Sequence, residues 1–250
     1  MSPIAVSLLA FAVILGGAFA GTLLRKALPD RHLAEDAKDI IRLGTGLIGT
    51  IAALVLGLLI ASAKSSYDTQ SGQVQHLTAE VVLLDQVLAQ YGTDARPIRE
   101  LVRQAVGPLV DRLWHENGTA TKDAPFTATA ASETAFAKIG ELAPQTDAQR
   151  SFKERAIQVS TDIAQTRLAL FVQTGSSIPM PFLAILVFWL AIIFASFSLF
   201  ARLNPTLVTA LVVFALSASA ALFLILEMSE PFAGLMQIPS APLRTALAPL

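Results

Sequence analysis

Long stretches without charge alternate along this chain with blocks where charge returns. Four of the apolar stretches reach the roughly 20 residues that a helix needs to cross a hydrocarbon core. They cover 3–24, 43–63, 179–201 and 206–227, and each predicts a transmembrane helix. Arg25 and Lys26 stop the first, Arg42 and Lys64 bracket the second, Arg202 stops the third, and the fourth ends on Glu227. Ala18-Phe19-Ala20 has the A-x-A form of a cleavage site. No basic residue precedes that run and two follow it, so the segment reads as a retained helix.

A short charged loop, 25–42, joins the first two spans, and a long segment, 64–178, joins the second and third. The apolar positions of the long segment fall on helical periods. Val74, Leu77, Val81, Leu84, Leu88 and Tyr91 are spaced 3, 4, 3, 4 and 3, the seam of a helical bundle. This helix is expected to continue directly from span two, with Gly72 its weakest point and Gly92-Thr93-Asp94 its end. Pro97 suits the first turn of the next helix, where Ile98, Leu101, Val102, Ala105, Leu109, Val110 and Leu113 form one apolar face. Gly107-Pro108 predicts a kink there. Thr119–Ser132 has loop composition, and Thr146 with Gln149 has capping-box spacing for a helix running towards Leu170. "GSSIPMP" breaks the chain before span three. The tail, 231–250, is apolar but holds Pro231, Pro239, Pro242 and Pro249, so it cannot be a continuous span. It is expected to fold back along the membrane surface, with Ser240 capping a short turn.

Composition agrees with the pattern. The chain is 54% hydrophobic and 15% charged, where soluble domains average about 25% charged. The predicted class is therefore an all-α integral membrane protein, multi-pass in the cell (inner) membrane: four transmembrane helices with a helical extramembrane insert between spans two and three. The lipid bilayer is its first partner. A net charge of −1 offers nothing to nucleic acid, and the absence of cysteine removes disulfides and thiolate sites. Basic residues of the short loop (Arg25, Lys26, Arg31, Lys38 and Arg42), with Arg202, place the short loops in the cytoplasm and the insert outside.

Candidate chemistry is sparse. "GTGLIG", Gly44 to Gly49, matches a dinucleotide fingerprint but lies inside a membrane-length run rather than after a strand. Gly49, Ala53, Gly57 and Ala61, at i, i+4 spacing, form a small-residue face that either packs a helix closely or lines a narrow pore. Gly17 and Gly21 are a similar pair in span one. His32, His76 and His115 lack metal-ligand spacing, and Glu116 does not complete a zinc-protease motif. Asn117 opens a glycosylation triplet that matters only in a eukaryotic secretory setting. No catalytic constellation, cofactor site or metal site is predicted, so the chain does not read as an enzyme. Phe188, Trp189, Phe194, Phe197 and Phe200 read as packing or lipid-facing residues. Glu227 and Glu230 close span four against an unfavourable helix dipole, and Arg244 is the expected partner that would latch the tail to them.

Several strings resemble the bacterial bestrophin-like family, a domain family of unknown function. They are "SSYD" (Ser65 to Asp68), "VFWLAIIFASFSLFARLNP" (Val187 to Pro205) and "FLILEMSEPFAGLMQIPSAPLRTAL" (Phe223 to Leu247). "DAQRSFKERAIQVSTDIAQTRLALF" (Asp147 to Phe171) is similar to the helix before span three in that family. Bestrophins proper are pentameric anion channels with the second span lining the pore, a calcium clasp from an acidic run, and a cytosolic insert. The resemblance implies a homo-oligomer with a pore along span two; on that hypothesis the Gly49, Ala53, Gly57 and Ala61 face would line it, with Ser65, Ser66 and Asp68 at its mouth. Span two here has no phenylalanine, and no dense acidic run matches the clasp. No channel site residue is carried over. The competing expectation is a non-conducting scaffold or sensor whose insert binds a protein partner.

Overall fold

Polar residues flanking the apolar stretches act as helix boundaries in the computed structural model, which describes residues 2–29, 35–114, 130–173, 180–201 and 204–247. Ser2 caps α1 (Pro3–Ala27), accepting from the Ala5 N–H at 3.3 Å, and Arg25 and Lys26 occupy its last turn. That places two cations at the negative end of the helix dipole. α2 (Glu35–Tyr91) is one unbroken helix of 57 residues that passes through Gly72. A span needs only about 20, so most of α2 stands outside the hydrocarbon. Its end is set by Gly92, whose φ of 122° is open only to glycine, followed by a 3₁₀ turn at Thr93–Ala95. α3 (Arg96–Trp114) continues through Pro108, and α4 (Ala130–Glu141) follows. The expected loop Thr119–Ser132 therefore gives way to helix at Ala130; its earlier part lies outside the described residues. Also outside them are Arg31, His32, His115, Glu116, Asn117, Arg202 and most of "GSSIPMP".

α5 (Asp147–Gln173) opens with the predicted cap. Thr146 Oγ1 accepts from the Gln149 N–H at 3.1 Å, and Gln149 Oε1 reaches back to accept from the Gln145 N–H at 2.8 Å. α6 (Met180–Phe200) and α7 (Pro205–Met228) are the last two apolar helices. Asn204 Oδ1 accepts from the Leu207 N–H at 2.7 Å ahead of Pro205, so α7 starts on a side-chain cap. α8 (Ala241–Thr245) is a single turn; Ser240 holds the cap position but makes no side-chain cap hydrogen bond. Among the described residues every regular element is helical.

The chain forms two compact units, Met1–Ser66 with Ile178–Ser229, and Tyr67–Ser177 with Glu230–Leu250. In the first, α1 packs against α6 and α7 around Ile14, Ala18, Ile193, Phe194, Leu211 and Ala215. Its outer faces carry exposed Leu8, Phe19, Leu54, Phe188 and Leu216, a surface suited to lipid rather than water. Four of its helices are long and apolar enough to cross a membrane. The protein is thus an all-α, multi-pass membrane protein with a large helical insert between the second and third spans.

The insert is built on the predicted seam. Val74, Leu77, Val81, Leu84, Leu88 and Tyr91 are all buried, as are Ile98, Val102, Val106, Leu109, Val110 and Leu113 of α3. Phe232, Ile238 and Leu243 join the same core, so three apolar side chains of the tail are buried in the insert, while Leu235 and Met236 stay exposed. Trp114 holds the buried ones. Its indole N–H donates to the Ile238 carbonyl at 2.7 Å, and its ring meets Phe232 edge-on at 5.2 Å. The Ile238 N–H in turn donates to the Pro231 carbonyl at 2.7 Å, closing a turn in which Gly234 takes a φ of 85°. Outside this core, Arg99 grips Asp85 through two hydrogen bonds of 2.8 and 2.7 Å, a bidentate clasp between α3 and α2.

Candidate functional site

The two small-residue faces have opposite fates. On α1, a Cβ added to Gly17 or Gly21 would run into the backbone carbonyls of Ala191 and Ala195 of α6. Glycine at 17 and 21 opposite alanine at 191 and 195 lets the two helices approach backbone to backbone. On α2 the corresponding face stays open. Gly49 is half-buried, with the Ile193 Cδ1 atom 3.9 Å from where its Cβ would be; Ala53, Gly57 and Ala61 are exposed, and a Cβ on Gly57 would meet nothing within 4 Å. The residues that α2 buries in its membrane stretch are Ala52, Leu59 and Ala63, on a different side of the helix. That stretch is the least covered of the four spans. "GTGLIG" lies wholly inside α2, away from its N-terminus, and no strand precedes it among the described residues, so the requirements for dinucleotide binding are unmet there.

Ser65, Ser66 and Asp68 follow where polarity returns on α2. Ser65 and Asp68 are exposed and Ser66 is half-buried, and all three take part in polar interactions within the chain. Glu227 is buried at the end of α7, while Glu230 is half-buried just beyond it; both are also engaged in interactions. Arg244, given to these acids by sequence reasoning, pairs with Asp111 of α3 at 3.3 Å. Asp111 lies 133 positions away, and no local spacing could have singled it out among the acids of the chain.

The insert holds a polar cluster that sequence reasoning overlooked. Glu80 of α2 is buried beside His76 at 3.4 Å and accepts from the Thr166 hydroxyl of α5 at 3.4 Å. It lies 17 residues past Ala63, outside the membrane stretch. Burial pushes its carboxyl above the usual carboxylate range, partly offset by His76, with Asp162 adding to the rise and Thr166 opposing it. Glu80 could have been noticed as one of two acids, with Asp85, inside the Val74–Tyr91 segment. Among the described residues no three His, Asp or Glu side chains gather as a metal site.

Set beside known proteins, the chain matches the profile of the Bestrophin-like domain over residues 12–243. Two crystal structures of a bacterial Bestrophin homolog from Klebsiella pneumoniae share its fold. For a tryptophan-to-alanine variant the TM-score is 0.69 at 14% identity, covering 98% of this chain and 96% of that one. For an isoleucine-to-threonine variant the score is 0.63 at 15% identity, with 97% and 95% covered. No curated protein matches the sequence. A four-span layout with a helical insert, matched by a profile that covers nearly the whole chain, places this protein in the Bestrophin-like family.

Proposed function

We propose that the protein is a homo-oligomeric ion channel, selective for anions on the family resemblance, with the membrane stretch of α2 lining the pore. The observation that carries this reading is the open small-residue face of α2. A single chain packs Gly17 and Gly21 against α6 and leaves Ala53, Gly57 and Ala61 uncovered. A ring of copies would turn that face towards a shared axis, where small side chains leave room for ions and large ones would close the path. Ser65, Ser66 and Asp68 stand at the mouth. No basic residue lies within 43–63, so selectivity arises from helix ends or from dewetting of an apolar constriction.

The test is current recorded from purified protein in planar bilayers, with stoichiometry measured on the same sample. Wild type is expected to conduct, and Gly57→Trp to conduct little or nothing while assembling normally. Silence of the wild type across ions and pH removes the channel and leaves the non-conducting scaffold. Wild-type currents in Gly57→Trp move the pore away from this face.

A further inference from the structure

The insert contains an open-sided cavity of about 350 Å³ between α2, α3, α4 and α5, within the size range of small-molecule sites. Its origin is legible in the residues. Ala105, Ala135 and Ala164, one from each of three helices, belong to its lining, where larger side chains would have taken up the space. The walls are apolar, among them Leu84, Val106 and Ile139. Empty space of this size deprives every wall of dispersion contacts, and apolar walls give water little to bond to. Two charged residues belong to the lining. Arg167, only 8% exposed, comes from the face of α5 that also bears Ser160, Ile163 and Ala164; Glu133 of α4 is exposed.

We propose that this cavity binds a small amphipathic monocarboxylate, its apolar body between the four helices and its carboxylate on the Arg167 guanidinium. The planar guanidinium matches a carboxylate in charge and geometry. Burial, and after it the nearby charge of Arg112, press the Arg167 guanidinium below the usual arginine range; a bound anion relieves both. Glu133 on the same lining disfavours a second negative group, so the ligand carries one. The site lies wholly within the insert and does not depend on the pore reading.

Binding is measured by equilibrium dialysis of radiolabelled octanoate against the full-length protein in lipid nanodiscs, with empty nanodiscs as the blank. One saturable site per chain is expected. Unlabelled 1-octanol and the dicarboxylate suberate should compete at least about tenfold less well than octanoate, the scale of one charge-assisted contact. Arg167→Gln should weaken octanoate by a similar factor, and Ala164→Phe should remove binding by filling the space. Competition by 3-phenylpropionate stronger than octanoate identifies an aromatic body, and weaker competition an aliphatic one; both support the site. No saturable binding above the blank, or octanol competing as well as octanoate, overturns the proposal without any variant. So does wild-type affinity in a folded Arg167→Gln.

Discussion

Gly16 and Gly17 are neighbours on α1, and the same substitution should have opposite consequences at the two positions. At Gly16 a Cβ would meet nothing within 4 Å. Alanine there removes the helix penalty of glycine, so Gly16→Ala should leave stability unchanged or raise it by up to about 1 kcal/mol. At Gly17 the added carbon would lie against the carbonyl of Ala191, with the Ala191 carbon and Cα both at 3.0 Å. Those are backbone atoms and cannot rotate away, so α1 and α6 must separate. Separation loosens Ile14, Ala18, Ile193 and Phe194, which share one core. Overpacking of this kind costs about 1–3 kcal/mol, which outweighs the propensity gain. Gly21, facing Ala195, should behave like Gly17. The assay is reversible unfolding in detergent micelles, followed by circular dichroism, for Gly16→Ala, Gly17→Ala and Gly21→Ala. Equal stability of Gly16→Ala and Gly17→Ala would refute the reasoning, because the difference between them rests on the backbone contact alone.

Other consequences concern the insert. Trp114→Ala removes a buried ring and the donor to the Ile238 carbonyl, so it should cost the insert about 3 kcal/mol or more; faster hydrogen exchange across 231–247 would register the released tail. Asp85→Asn breaks the bidentate clasp with Arg99 and should cost about 2 kcal/mol in chemical unfolding, since both partners are largely shielded from water. Glu80 titrates above the usual carboxylate range in the folded insert. The folded state therefore binds the proton more tightly than the unfolded chain. Its contribution is fully present below the ordinary carboxylate pKa and is lost as pH rises through the raised folded value. Comparing wild type with Glu80→Gln across that window should show the wild type losing stability relative to the variant as pH rises; parallel curves would count against it.

The local content of the structure was written in the sequence. Charge-free length is enough to specify a span, because each residue of a helix satisfies its own backbone and only apolar side chains tolerate lipid. The 3-4 spacing from Val74 to Tyr91 and the caps at Thr146 and Asn204 are equally local, since they depend on residues within one or two turns. α4 was harder to read: its two buried residues, Ala135 and Ile139, make too short a period to stand out. What the sequence could not decide was which surfaces meet. Gly17-x-x-x-Gly21 and Gly49-x-x-x-Ala53 carry the same pattern, yet one is closed by Ala191 and Ala195 and the other stays largely open. Likewise Arg244 finds Asp111, and Trp114 finds Ile238, across more than a hundred residues. Spacing along one helix says which side chains share a face, but only the packing of distant helices decides what that face touches. That the small-residue stripe of α2 stays open within one chain, and that Arg167 lines a cavity, could therefore be seen only in the folded chain.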